Sequence, residues 1–162
     1  MVEIKNILVP TDCSELSQKA LLYAISLAET FKAKMTLLYV ADYTSVAGMD
    51  SRYIPDEVFQ KLLDEKKKSD EKQLEDFWRH NNNSDVKAEL KILNGDTYSQ
   101  IVKFAKQVNI DIIIMGTHGR TGLQHILMGS VAEKVVRYSP YPVLTVKSEG
   151  YQFKSVDHAK MA

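Results

Sequence analysis

Short apolar runs alternate along the chain with longer stretches whose apolar residues recur at helical spacing. "IKNILVP" (Ile4 to Pro10) is a brief apolar run stopped by proline and predicts a strand. In "SELSQKALLYAISLAETF", Leu16, Ala20, Ala24, Leu27, Ala28 and Phe31 return at the period of a helix. "KMTLLYV" (Lys34 to Val40) predicts a second strand, and Ala41 to Pro55, with no period, a loop. Pro55, Asp56 and Glu57 signal the start of a long helix. Its apolar residues gather at the two ends (Val58, Leu62, Leu63, then Leu74, Phe77, Trp78), and the mixed-sign middle "DEKKKSDEKQ" predicts a solvated face. "HNNNS" ends it.

"VKAELKIL" (Val86 to Leu93) alternates, with Val86, Ala88, Leu90 and Ile92 on one face and Lys87, Glu89 and Lys91 on the other. One wet face marks a strand near a sheet edge. "IDIIIMG" is apolar almost throughout, as a strand covered on both faces should be. Between them a helix from Thr97 to Val108 turns Ile101, Phe104, Ala105 and Val108 inward, with Thr97 and Gln100 at capping-box spacing. A helix from Ser130 to Tyr138 and a strand "PVLTV" (Pro142 to Val146) follow, and Tyr138, Tyr141 and Phe104 sit at core spacings. Residues 148–162 have no period and predict a tail beyond a single domain of residues 1–147.

Five strands joined by helices imply a doubly wound parallel α/β sheet. The buried signature puts the fourth strand in the middle, and the wet face puts the third at an edge. The order 3-2-1-4-5 satisfies both. Winding then reverses between the first and fourth strands, and ligands of such sheets bind beyond the carboxyl ends at that reversal. The segments that leave those strands are "VPTDCS" and "MGTHGRTGLQHILMGSVAEK".

The second of these holds four of the chain's seven glycines. Glycine lets backbone approach phosphate oxygens, and a helix N-terminus supplies unpaired N–H donors and a favourable dipole. Ser130 and Glu133 also have capping-box spacing, so a cap and a phosphate contact account for Ser130 about equally. A Walker loop is excluded, since no glycine here precedes lysine, and so is a dinucleotide fingerprint, since no glycine follows the first strand directly.

Gly116, Gly119, nine intervening residues, then Gly129-Ser130 form a G-2x-G-9x-G-[ST] pattern. With "ILVPTDCSELSQKAL" and the stretch from Met115 to Lys147, this resembles the ATP-binding branch of the universal stress protein family, over about Ile4 to Lys147. The resemblance implies a Rossmann-like fold of the adenine nucleotide alpha hydrolase-like kind. It also implies that Pro10, Thr11 and Asp12 lie over the adenosine and phosphates, and that Val40 meets the adenine. Gly116, His118, Gly119 and Arg120 then surround ribose and phosphates, and Gly129, Ser130 and Val131 hold the phosphates. Where the family often has a hydroxyl residue after Ser-Val, this chain has Ala132.

Asp12 is open to two readings, a Mg²⁺ ligand acting with phosphates or a helix cap, with Ser14 as the other possible cap. The four histidines, His80, His118, His125 and His158, lack metal-ligand spacing. Cys13 is the one cysteine and fits a reducing compartment without a disulfide.

Composition narrows the picture further. Lys+Arg and Asp+Glu are equal at 21 each, so no global field draws nucleic acid or an anionic membrane. No window approaches the ~18 apolar residues of a membrane span, and the N-terminus lacks a signal-peptide pattern. The expectation is a cytoplasmic ATP-binding switch in stress response, with an unidentified protein partner. It forms a homodimer through the last strand, Val143 to Val146, as the resemblance implies. The alternatives are a slow ATP hydrolase using Mg²⁺ and Asp12, or a nucleotide-free partner-binding scaffold.

Overall fold

The computed structural model describes residues 3–43, 55–118 and 128–147. Its elements are β1 (Asn6–Thr11), α1 (Glu15–Phe31), β2 (Lys34–Ala41), α2 (Asp56–Asn81), β3 (Ala88–Asn94), α3 (Thr97–Gln107), β4 (Ile112–Gly116), α4 (Ser130–Tyr138) and β5 (Val143–Val146). The strands form one parallel sheet in the order β3-β2-β1-β4-β5, as the apolar patterning required.

Side chains alternate across each strand, so the sheet separates two cores. Ile7, Val9, Met35, Leu37, Tyr39 and Ile114 face one side, packed with Ala20, Leu21, Ala24, Ile25 and Ala28 of α1 and Leu74 of α2. Leu8, Leu38, Ile113 and Met115 face the other, packed with Ile101, Phe104 and Ala105 of α3 and Ala132 and Val135 of α4. Val86, Ala88, Leu90 and Ile92 pack against the first core, which confirms the wet and dry faces of β3.

Several local expectations are corrected. Pro10 does not stop β1, which runs on to Thr11 paired to β2. The β1–β4 ladder, however, holds only Ile7–Ile112 and Leu8–Ile113. Phe31 lies at the last turn of α1 and is 45% exposed, and Val108 ends up as the exposed C-cap of α3. Tyr138 is also outside the core, exposed and edge-on to Tyr98, with ring centroids 6.3 Å apart.

The caps differ too. α3 is capped by Asp96, whose carboxylate accepts from the Ser99 N–H (2.9 Å) and hydroxyl (2.6 Å). Gln100 instead donates through Nε2 to the Asn94 carbonyl at 2.9 Å. Gly129 is the N-cap of α4, so Ser130 lies one position inside the helix, and Glu133 pairs with Arg137 at 2.9 Å. The polar middle of α2 is not wholly solvated, because Asp70 is buried there.

Candidate functional site: a cleft at the sheet reversal

β1 stands between β2 and β4, so the connections leaving β1 and β4 depart to opposite faces and leave a gap beyond their carboxyl ends. A cavity of about 310 Å³ fills this gap. Pro10, Thr11, Asp12, Val40, Gly116, His118, Gly129, Ser130 and Val131 line it, which brings together nine of the eleven residues expected from the sequence. The other two, Gly119 and Arg120, lie outside the described residues.

The rim after β1 is ordered by its own polar groups. Ser14 caps α1, its hydroxyl accepting from the Ser17 N–H at 3.3 Å. Asp12 is therefore not the cap. Its Oδ1 accepts from the Ser14 N–H (3.1 Å) and hydroxyl (2.6 Å) and holds the turn in front of the helix. Thr11 Oγ1 accepts from the Cys13 N–H at 3.0 Å and lies 3.0 Å from Ser17 Oγ. The Ser17 hydroxyl donates to the Ser14 carbonyl at 2.8 Å, which leaves the Thr11 hydroxyl as donor in its pair with Ser17. Cys13 takes up the turn with φ +59°, a left-handed conformation uncommon for a residue with a side chain.

The opposite rim is made of backbone. The first N–H groups of α4 have no acceptor within the helix and open at the cleft, where Gly129, Ser130 and Val131 line it. A Cβ on Gly116 would stand 3.1 Å from the His118 carbonyl oxygen and 3.3 Å from that of Leu16. Glycine there lets the end of β4 pass against the first turn of α1. Thr117, which is buried, sets the His118 ring through an Oγ1–Nδ1 contact of 3.0 Å.

The floor contains Ala132, noted above as a departure from the family pattern, and residues the sequence had not singled out for a site: Ser17, Leu38, Thr97, Ile101 and Met115. Leu38, Ile101, Met115 and Ala132 belong to the second core, so the cleft is apolar at depth and polar at its rim. This is the character of a pocket for a flat, partly apolar ligand with a charged end. Among the described lining residues Asp12 is the one acidic side chain and none is a lysine. Among the described residues no group of three His, Cys, Asp or Glu side chains could hold a metal ion. Any cation here would need ligand oxygens as well as Asp12.

Residues 3–147 match the Universal stress protein family. The chain belongs to this family. Two curated family proteins of Methanocaldococcus jannaschii are each 37% identical to it. Universal stress protein MJ0531 aligns over 145 residues, 88% of this chain and 82% of that one. Universal stress protein MJ0577 aligns over 164 residues, 90% of this chain and 96% of that one. A solved structure of MJ0577 superposes with a TM-score of 0.76 at 34% identity, covering 91% of this chain and 99% of that one. A family protein from Arabidopsis thaliana, solved with AMP bound, shares the fold with a TM-score of 0.57 at 22% identity, covering 94% of this chain and 97% of that one. Among the described residues no helix is long and apolar enough to cross a membrane.

Proposed function

We propose that the cleft binds ATP and that this universal stress protein works as a nucleotide-dependent switch, its occupancy changing the surface offered to a protein partner. The observation that carries the reading is the meeting of the "PTD" turn and the glycine-led N-terminus of α4 across an apolar floor. An adenine ring fits between Val40 and that floor. The triphosphate then passes the Gly129 backbone and reaches the N–H groups of Ser130 and Val131, where unpaired donors and the helix dipole stabilise negative charge. Gly116 and His118, with Gly119 and Arg120 beyond them in sequence, complete the surroundings of ribose and phosphates. The AMP held by the Arabidopsis protein is a ligand of the same chemical class on the same fold.

In this reading Mg²⁺ is held between Asp12 and phosphate oxygens, consistent with that ion's habit of taking one or two carboxylates plus phosphate. Switching rather than rapid turnover is supported by the absence of a lysine from the described lining. The protein acts as a cytoplasmic homodimer joined through β5, a reading supported by the lone Cys13 and by the position of β5 at the sheet edge.

The test is heat denaturation of freshly purified protein, chromatography of the released small molecules, and an ATP titration with Mg²⁺. Released adenine nucleotide or saturable binding is the expected result. Neither would appear if the cleft served another ligand.

A further inference from the structure

Thr117 stands just past β4 and is 2% exposed, yet it carries a hydroxyl. Valine would fill the same space without a polar group to satisfy, so packing alone does not call for threonine here. Its backbone is committed on both sides: the N–H donates to the Val146 carbonyl at 3.0 Å, and the carbonyl accepts from the Gly129 N–H at 2.7 Å. The side chain therefore starts from a point fixed between the end of β5 and the start of α4. Its Oγ1 lies 3.0 Å from Nδ1 of His118, which lines the cleft.

The direction of that hydrogen bond follows from burial. A neutral imidazole carries one proton, on Nδ1 or on Nε2, and the nitrogen without it is an acceptor. If Nδ1 held the proton it would donate to Oγ1, and the Thr117 hydroxyl proton would need a second acceptor. Among the described residues the hydroxyl has one hydrogen-bond partner, His118 Nδ1. A buried donor left without an acceptor costs more than a typical hydrogen bond contributes. The Thr117 hydroxyl is accordingly the donor and Nδ1 the acceptor, which puts the imidazole proton on Nε2.

We propose that Thr117 is a positioning residue for the cleft: its hydroxyl engages Nδ1 of His118, fixes the Nε2–H tautomer, and so makes the histidine a hydrogen-bond donor to an oxygen of the bound nucleotide. The inference rests on the reading of the cleft as a nucleotide site and gives His118 one role within it. An imidazole whose Nδ1 already accepts from Thr117, and whose Nε2 carries a proton, has no unused lone pair to take a proton from an attacking water. His118 therefore holds nucleotide and does not act as a general base, in keeping with a switch.

The experiment follows the four histidines of the full chain, labelled with ¹⁵N, in long-range proton–nitrogen correlation spectra, whose pattern distinguishes the two tautomers. The signals lost in His118→Ala assign His118. At about pH 8, above the ordinary imidazole range, wild type and Thr117→Ser should show the Nε2–H form, and Thr117→Val a mixture of both. In ATP titrations with Mg²⁺, Thr117→Val should raise the Kd about two- to tenfold, the worth of one hydrogen bond. Thr117→Ser should recover most of that loss. In a His118→Ala background, Thr117→Val should cost no further affinity. A merely structural role would persist in that background, and an equal loss there would overturn the proposal. So would an unchanged Kd in Thr117→Val, or an Nδ1–H form in wild type, which is read whether or not the valine variant folds. If wild type binds no ATP, the nucleotide reading fails by itself. Donation from His118 to a nucleotide then fails with it, and the spectra still decide separately whether Thr117 sets the tautomer.

Discussion

The backbone N–H of Gly129 donates to the carbonyl oxygen of Thr117 at 2.7 Å, so the chain comes back to α4 at the point where it left β4. The Thr117 N–H is held in turn by the Val146 carbonyl at 3.0 Å, which ties this junction to the end of β5. Thr117 and Gly129 are thereby held together by backbone. A Cβ on Gly129 would stand 3.3 Å from the Thr117 carbonyl oxygen. Gly129→Ala should cost about 1 kcal/mol, or roughly 3 °C in Tm, and, if α4 carries the phosphate donors as proposed, a larger proportional loss of ATP affinity. Thermal melts and ATP titration on one preparation check both effects.

Gly116 is more confined, with backbone oxygens of both His118 and Leu16 in the path of a Cβ. Neither can swing away as a side-chain end could. Gly116→Ala should destabilise the fold by about 1–3 kcal/mol, in the range of overpacked cores. Urea unfolding with an unchanged m-value would confirm that the loss is in the native state.

Asp96 should contribute to acid sensitivity. The Ser99 hydroxyl first, and then its N–H, hold the Asp96 carboxyl below the ordinary carboxylate range. A depressed folded-state pKa adds stability above the ordinary carboxylate pKa, and that stability fades as pH falls through the lowered value. Asp96→Asn keeps an N-cap acceptor but removes the titration. Its Tm should fall less steeply than wild type below about pH 4, as melts over an acid pH series would show.

Tyr43 acts at the other end of the scale. Burial first, then the negative charge of Asp70, push its phenol up to about 12 from 10.0. The neutral phenol is favoured in the folded chain, so its stabilising contribution is complete below pH 10 and is lost as pH rises towards 12. One tyrosine should therefore ionise late in an ultraviolet phenolate titration. Tyr43→Phe should remove that late step and flatten the alkaline slope of Tm.

At β5 the carbonyls of Pro142 and Val146 point to β4, so alternation turns the N–H and C=O of Val143 and Thr145 towards the open edge. If two copies join there, wild type should sediment at twice the chain mass. Thr145→Pro, which removes an outward donor and no ladder bond, should shift it to the monomer with an unchanged far-ultraviolet spectrum.

Strand order and the position of the cleft could be read in advance because both follow from short-range patterns. The continuous apolar run of β4 requires cover on both faces, while the alternation of β3 requires one wet face. The order found in the fold satisfies both with helices between the strands. In the cleft lining, the residues legible from their own chemistry were those that stand apart from a core, the glycines, Asp12 and Ser130, while Val40 and Val131 came through the family resemblance. Leu38, Ile101 and Met115 were not legible, because an apolar residue at the floor of a cleft and one in a closed core have the same spacing.

Competition between neighbours was equally hidden. Ser130-x-x-Glu133 satisfies the capping-box spacing, yet the Thr117 carbonyl holds the Gly129 N–H and makes Gly129 the first residue of the turn. Asp70 lies in a run whose mixed charges predict solvent, yet it is buried one turn from Leu74, which packs in the first core. Periodicity states which way a side chain faces along its own element, and this chain's alternation places β3 at an edge and β4 inside, as the sheet has them. What a side chain meets depends on elements brought beside it only in the folded chain, and tertiary structure alone decides the cleft floor, the cap of α4 and the burial of Asp70.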